Sequence, residues 1–103
     1  MAKQVVWSKT AVADRIQILD YWFKRLGSKT YSRKLDQEFR NIISLLPRFP
    51  SLGRVIENRD ERYILKHYYR IIYRLNSNKD IEILRIWDTR QDPENLKIPE
   101  QPP

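Results

Sequence analysis

The chain has 103 residues, 41% hydrophobic and 32% charged, which suits one small globular domain around a modest core. It holds no apolar run of about 18 residues for a transmembrane helix, and its opening "MAKQVVWSK" has no apolar stretch long enough for a signal peptide. It also has no cysteine for a disulfide framework or thiolate metal site, so the expected location is the cytoplasm. Its 20 Lys+Arg against 13 Asp+Glu leave a net charge of +7, which favours an anionic partner such as nucleic acid or an acidic protein segment.

In chain order, "KQVVW" (Lys3–Trp7) reads as a short strand. Ser8 stands where a helix N-cap belongs, its hydroxyl free to take an orphan N–H. Val12, Ile16, Leu19, Phe23 and Leu26 then recur at spacings of four, three, four and three, predicting a helix that buries this stripe and ends at Gly27. A second helix begins near Ser28–Thr30, with Tyr31, Leu35, Phe39, Ile42 and Leu46 as its apolar stripe and Pro47 as its stop. The short link between them predicts an antiparallel helical hairpin.

"PRFPSLGR" (Pro47–Arg54) is a connector whose prolines and glycine mark the switch from helical to strand period. Four strands follow, near Arg54–Glu57, Arg62–Lys66, Tyr69–Leu75 and Asp80–Trp87. The fold class is therefore α+β: an N-terminal strand and a helical hairpin packed on one face of a mainly antiparallel, curved sheet. The domain spans 1–96. Residues 97–103 form a Pro-rich tail expected to be flexible.

The last two strands, "YYRIIYRLNSNKDIEILRIW", carry Arg70, Arg74 and Arg85 among isoleucines. A two- or four-residue turn at "NSNK" opposes Arg70 to Arg85, Ile72 to Ile83 and Arg74 to Ile81 on one face. The other face, with Tyr69, Ile71, Leu84 and Ile86, then suits the helices. Like charges directly opposite each other cost roughly 0.2–1 kcal/mol. A carboxylate from Glu82, Asp88 or another strand neutralises the pair in the simplest reading, and an anionic partner does so in the other. The surface is too apolar to be plain solvated face, so the chain's own tail, an acidic partner segment or both are expected to cover it. Arg62 and Lys66 lie on that face only if the turn at His67–Tyr68 has three residues rather than two. Arg90 stands beside the surface, and Trp87 is its candidate stacking residue. His67 is the only histidine, which speaks against a His-based metal site or a Ser-His-Asp triad, and no metal or cofactor is expected.

"VVWSKTAVADRIQILDYW", the helical pair, "PSLGR", "RYILKHYYRIIYRL" and "IEILRIWDTRQDP" together resemble the RelE/ParE superfamily of bacterial toxins, from about Val5 to Pro93. The resemblance implies the toxin half of a type II toxin–antitoxin pair, neutralised by a cognate antitoxin whose complex with it binds operator DNA through the antitoxin. RelE-like members are metal-independent, ribosome-dependent mRNA endonucleases. On that side Arg70 and Arg90 match the family's arginines, Arg62 and Lys66 are the nearest basic residues of the preceding strand, and His67 is a replacement acid or base. ParE-like members inhibit DNA gyrase. No tyrosine or histidine follows Tyr73, which removes the C-terminal aromatic of the nucleases, and the long helical pair with Pro50–Arg54 is closer to ParE. Gyrase is thus the expected target and mRNA on the ribosome the alternative, with a basic binding module lacking toxicity as a third reading. Arg70, Arg74, Arg85, Trp87 and Arg90 are the expected antitoxin- or target-binding residues.

Overall fold

The computed structural model describes residues 4–99. In chain order these form β1 (Val5–Trp7), α1 (Lys9–Leu26), α2 (Thr30–Ile43), β2 (Arg54–Val55), β3 (Arg62–Lys66), β4 (Tyr69–Leu75), β5 (Ile81–Asp88) and a 3-10 turn at Pro93–Asn95. The sheet order is β1-β5-β4-β3-β2, with β1 parallel to β5 and every other pair antiparallel. The helical hairpin covers one face of this mixed sheet, which is the α+β architecture expected.

Ser8 joins β1 to α1 through both of its hydrogen-bonding roles. Its Oγ accepts from the Ala11 N–H at 3.0 Å, capping the helix, and donates to the Leu84 carbonyl at 2.9 Å. Because β1 has only three residues, the β5 edge beyond it needs other partners. Ser8 supplies one, and the Asp14 carboxylate accepts from the Ile86 N–H at 3.1 Å. Gly27, at φ 72°, ends α1 in left-handed geometry, and its N–H reaches the Phe23 carbonyl.

The α2 stripe behaves as its spacing predicts, with Leu35, Phe39 and Leu46 fully buried. The α1 stripe does not. Val12, Ile16, Phe23 and Leu26 are all exposed, Ile16 at 61%, while Ala11 is buried and Ile18 and Trp22 pack on the core. α1 carries apolar residues on two adjoining stripes, and periodicity alone does not choose between them. The polar ties choose. Trp22 Nε1 donates to the Tyr69 hydroxyl at 2.8 Å, Asp14 holds Arg85, and Arg15 grips Asp36 at 2.7 and 2.8 Å, so the side bearing these groups turns inward.

The strand register also departs from expectation, at two places. Asn76–Asp80 is a five-residue turn, closed by Asn76 N–H to Asp80 O at 2.9 Å and carrying Lys79 at φ 63°, so Leu75 pairs with Ile81 instead of Asp80. A bulge then falls between Ile72 and Tyr73, whose partners are Arg85 and Ile83, so Leu84 is skipped. As a result Arg70 opposes Trp87 and Arg85 opposes Ile72; the expected Arg70–Arg85 juxtaposition does not occur. Leu84 moves to the face away from the helices, and Ile81 and Ile83 move onto the helical face. The β3–β4 turn has two residues, with His67 at φ 54°, which pairs Arg62 with Tyr73 and Lys66 with Tyr69, off Arg70's face.

Two apolar clusters result. The larger joins α2 and Ala11 to Tyr69, Ile71, Tyr73, Ile81, Ile83 and Ile86. Burial pushes the Tyr69 phenol up to about 12, so it stays neutral beside Trp22. The smaller cluster, Ile72, Leu84 and Trp87, lies on the other face, where Ile56, Tyr63, Leu96 and Ile98 pack against it. Lys97–Pro99, assigned from sequence to the flexible tail, thus run along this face; residues 100–103 lie outside the described residues.

Candidate functional site

The pairing of β3, β4 and β5 assembles arginines and aromatic rings into one band. Leu65 opposes Arg70, which places Tyr63 diagonally beside Arg70 on the same face. The Arg70 guanidinium lies 4.5 Å from the Tyr63 ring centroid, and Trp87 is its direct cross-strand neighbour on β5. The Arg85 guanidinium lies 5.5 Å from the Trp87 centroid. Tyr63, Arg70, Trp87 and Arg85 therefore alternate ring and cation across three strands. Just past β5, Arg90 sits 4.0 Å from the Tyr68 ring centroid. Arginine over a ring stays charged yet loses part of its hydration, which suits recognition of a carboxylate or phosphate.

Their availability differs. Arg70 is exposed and has no ion-pair partner among the described residues. Arg85 is held by Asp14 through Nε at 2.7 Å and Nη2 at 3.0 Å, and its Nη1 donates to the Lys97 carbonyl at 2.7 Å. Arg74 is buried, donating to Glu82 at 3.1 Å and to the Pro99 carbonyl at 2.8 Å. Arg90 chelates Asp88, with Nη2 at 2.7 Å and Nε at 3.0 Å from the two oxygens, and it is exposed. This bond raises the Arg90 pKa and holds the Asp88 carboxyl below the usual carboxylate range. Trp87 is 6% exposed, in the cluster against which Leu96 and Ile98 of the tail pack.

The remaining basic candidates stand apart from this band and have structural partners. His67 Nε2 lies 2.7 Å from Glu38 on α2, and the Lys66 ammonium lies 3.8 Å from the same carboxylate. The His67 hydrogen bond, and after it the Lys66 charge, hold Glu38 below its ordinary pKa. Arg62 donates to the Gly53 carbonyl at 2.9 Å. Of the five residues expected for cleavage, only Arg70 lies in the band; Arg90 stacks on Tyr68 toward the helical side, Lys66 and His67 meet Glu38, and Arg62 bonds the connector. Tyr63 was not anticipated as part of the band, nor Tyr68 as the ring beneath Arg90. Only the two-residue turn and the Leu65–Arg70 pairing reveal Tyr63, because a stacking partner two positions off a cross-strand neighbour leaves no local spacing signal.

The connector is fixed by an unusually close approach. Tyr73 Oη donates to the Pro50 carbonyl and accepts from the Gly53 N–H, both at 2.8 Å. A Cβ on Gly53 would sit 2.8 Å from the Tyr63 carbonyl oxygen and from the Tyr73 ring, so only glycine fits. Thus "PSLGR" is tied to β4 through the Tyr73 hydroxyl.

No group of three or more potential metal-ligating side chains occurs among the described residues, and none of their helices is long and apolar enough to cross a membrane. No curated protein matches the chain in sequence. Among solved structures it is similar to a chain of the chromosomal ParDE TA system from P. aeruginosa, at 26% identity and a TM-score of 0.71, covering 84% of this chain and 94% of that one. The model of the ParE toxin of type II toxin–antitoxin systems, parDE, matches residues 5–93, and with the helical hairpin and five-stranded sheet this shows that the chain belongs to the ParE toxin family.

Proposed function

We propose that this protein arrests growth by binding DNA gyrase in the cytoplasm and is neutralised by a cognate antitoxin. The family match over residues 5–93 carries this reading. The chemistry of the band supports binding over cleavage. Cleavage of RNA by its own 2′-hydroxyl needs a base for that hydroxyl and an acid for the leaving 5′-oxygen, poised around one phosphate. His67 and Lys66 are instead engaged with Glu38, Arg90 is chelated by Asp88, and no tyrosine or histidine follows Tyr73. Arg70 beside Tyr63 and Trp87 offers an exposed guanidinium for a carboxylate of the target or of the antitoxin. The deciding experiment is an in vitro supercoiling assay with purified protein. Inhibition of gyrase, relieved by antitoxin and weakened at least tenfold by Arg70→Ala, is the expected result. Normal supercoiling at saturating protein, or codon-positioned mRNA cleavage after induction that Arg70→Ala abolishes, overturns it.

A further inference from the structure

The open end of the sheet carries an apolar cleft with a free guanidinium on either side. β2 pairs with only two residues of β3, Arg62 and Tyr63, so beyond Tyr63 the β3 edge has no strand beside it. There the connector, the end of α2 with the turn after it, and β3 enclose about 550 Å³, lined by Ile42, Leu45, Leu52, Tyr63 and Leu65. That is room for a bulky side chain and more. Leu45, Leu52 and Leu65 are 46–56% exposed, a concentration of bare leucine that marks a contact surface. The wall opposite β3 is fixed before any partner arrives. Leu52 and Arg54 flank Gly53, whose N–H donates to Tyr73 Oη at 2.8 Å and whose carbonyl accepts from Arg62 Nη1 at 2.9 Å.

Two cations frame this cleft. Arg54 opposes Tyr63 from β2, and Arg70 opposes Leu65 from β4. Direct cross-strand partners share a face, so both arginines rise on the side that shows Tyr63 and Leu65. At about 4.8 Å between strands and about 3.4 Å per residue, their Cα atoms are about 12 Å apart. Both side chains are exposed, and neither has an ion-pair partner among the described residues. No carboxylate among the described residues lines the cleft.

This chemistry selects the occupant. A second copy would set the same two cations against Arg54 and Arg70, with no carboxylate of the cleft to offset them. A nucleic acid would match the cations but leave three leucines against phosphate. An acidic protein segment with an apolar centre satisfies both. The surface used on a target must also be formed and open in the toxin free of antitoxin. This one is, since its wall is tied to Tyr73 and Arg62 and no described residue of the tail lines it.

We propose that this cleft is the toxin's docking surface for gyrase: a bulky apolar side chain of gyrase enters among the leucines, and Asp or Glu residues on either side of it meet Arg54 and Arg70. This rests on the gyrase reading above, adds Leu52, Arg54 and Leu65 to Arg70, and states the chemistry of the partner segment.

The test measures binding of purified gyrase holoenzyme to full-length toxin variants by surface plasmon resonance, with supercoiling inhibition alongside and thermal unfolding as the folding control. Leu65→Ser removes an exposed anchor without adding charge beside Arg70. It is expected to weaken binding about tenfold or more, with Leu65→Met retaining it. Arg54→Glu is expected to weaken binding by a similar factor at low salt and to flatten its salt dependence, which Arg54→Lys keeps. If Leu65→Ser does not fold, Leu52→Ser on the facing wall takes its place. Unchanged gyrase affinity in a folded Leu65→Ser or Leu52→Ser variant overturns the proposal, as does an Arg54→Glu variant with wild-type affinity and salt dependence. So does weakened binding of the cognate antitoxin, or a wild-type dimer that Leu65→Ser dissolves, while gyrase affinity stays constant. A wild-type toxin that binds no gyrase brings down both this proposal and the reading it rests on. Gyrase bound equally by wild type and the cleft variants, with Arg70→Ala still weakening inhibition, removes only the proposal.

Discussion

The Tyr73 hydroxyl is buried between two backbone groups of the connector, and neither group has another partner at hand. Tyr73→Phe leaves the Gly53 N–H and the Pro50 carbonyl unsatisfied, so it is expected to cost about 2 kcal/mol in urea unfolding, more than removing an exposed hydrogen bond does. Asp14 presents a second case. Its carboxylate takes two guanidinium bonds from Arg85 and one from the Ile86 N–H, with side chains only 11% and 12% exposed on the two partners. Asp14→Ala strands a largely buried guanidinium and should cost about 3 kcal/mol by the same measurement. Asp88 makes the fold sensitive to acid. Its pKa is lowered in the folded protein, mainly by the Arg90 hydrogen bond, so the stability it contributes is present above the ordinary carboxylate pKa and is lost as pH falls through the lowered value. Melting temperatures measured from about pH 5 down to about pH 2 should fall less steeply in Asp88→Asn than in the wild type.

At the scale of elements, the turn between β4 and β5 shows why much was legible in the sequence and some was not. Ser8 and Gly27 bound α1 as their chemistry demands, and β3 and β4 begin and end at the expected residues. Each of those features depends on a residue's local preference. Register does not. The left-handed position of the turn is Lys79, whereas Asn78 is the residue whose side chain tolerates that conformation best, so the turn gives no sign of its fifth residue. The Leu84 bulge arises from distant partners, with Ser8 bonding its carbonyl, and no feature of "DIEILRIW" announces it. The phase of α1 was hidden likewise, since the groups that orient it lie on α2 and β5. For the candidate site, the arginines themselves were visible, but their neighbours were not: Trp87 comes opposite Arg70 only through the five-residue turn and the bulge, and Tyr63 comes beside it only through the two-residue β3–β4 turn. Lys79→Gly relieves the left-handed strain and is expected to stabilise the protein by about 0.5–1 kcal/mol, read from the shift in denaturation midpoint at constant slope.

Across the whole molecule, the sheet buries both faces by different means. The helices cover one, and the tail covers the other, with Leu96 and Ile98 on Ile72, Leu84 and Trp87. Two arginines secure that cover through main-chain carbonyls, Arg85 at Lys97 and Arg74 at Pro99. Since the bonds go to backbone, they select an extended chain and not a side-chain sequence, while the apolar anchors two residues apart fix its register. A chain ending at Leu96 keeps the 3-10 turn and loses Ile98 and both carbonyl acceptors. It should remain folded, because the larger cluster does not involve the tail, yet lose about 2 kcal/mol from the missing apolar cover and charge-assisted hydrogen bonds. Trp87 should then become accessible, giving red-shifted tryptophan emission and stronger acrylamide quenching than in the full-length protein. Ile98→Ala separates the two contributions: it removes the anchor but leaves both carbonyls, so it should reproduce part of the stability loss with less change in quenching. Equal quenching in wild type and truncated chain would mean that the tail does not shield this face in solution.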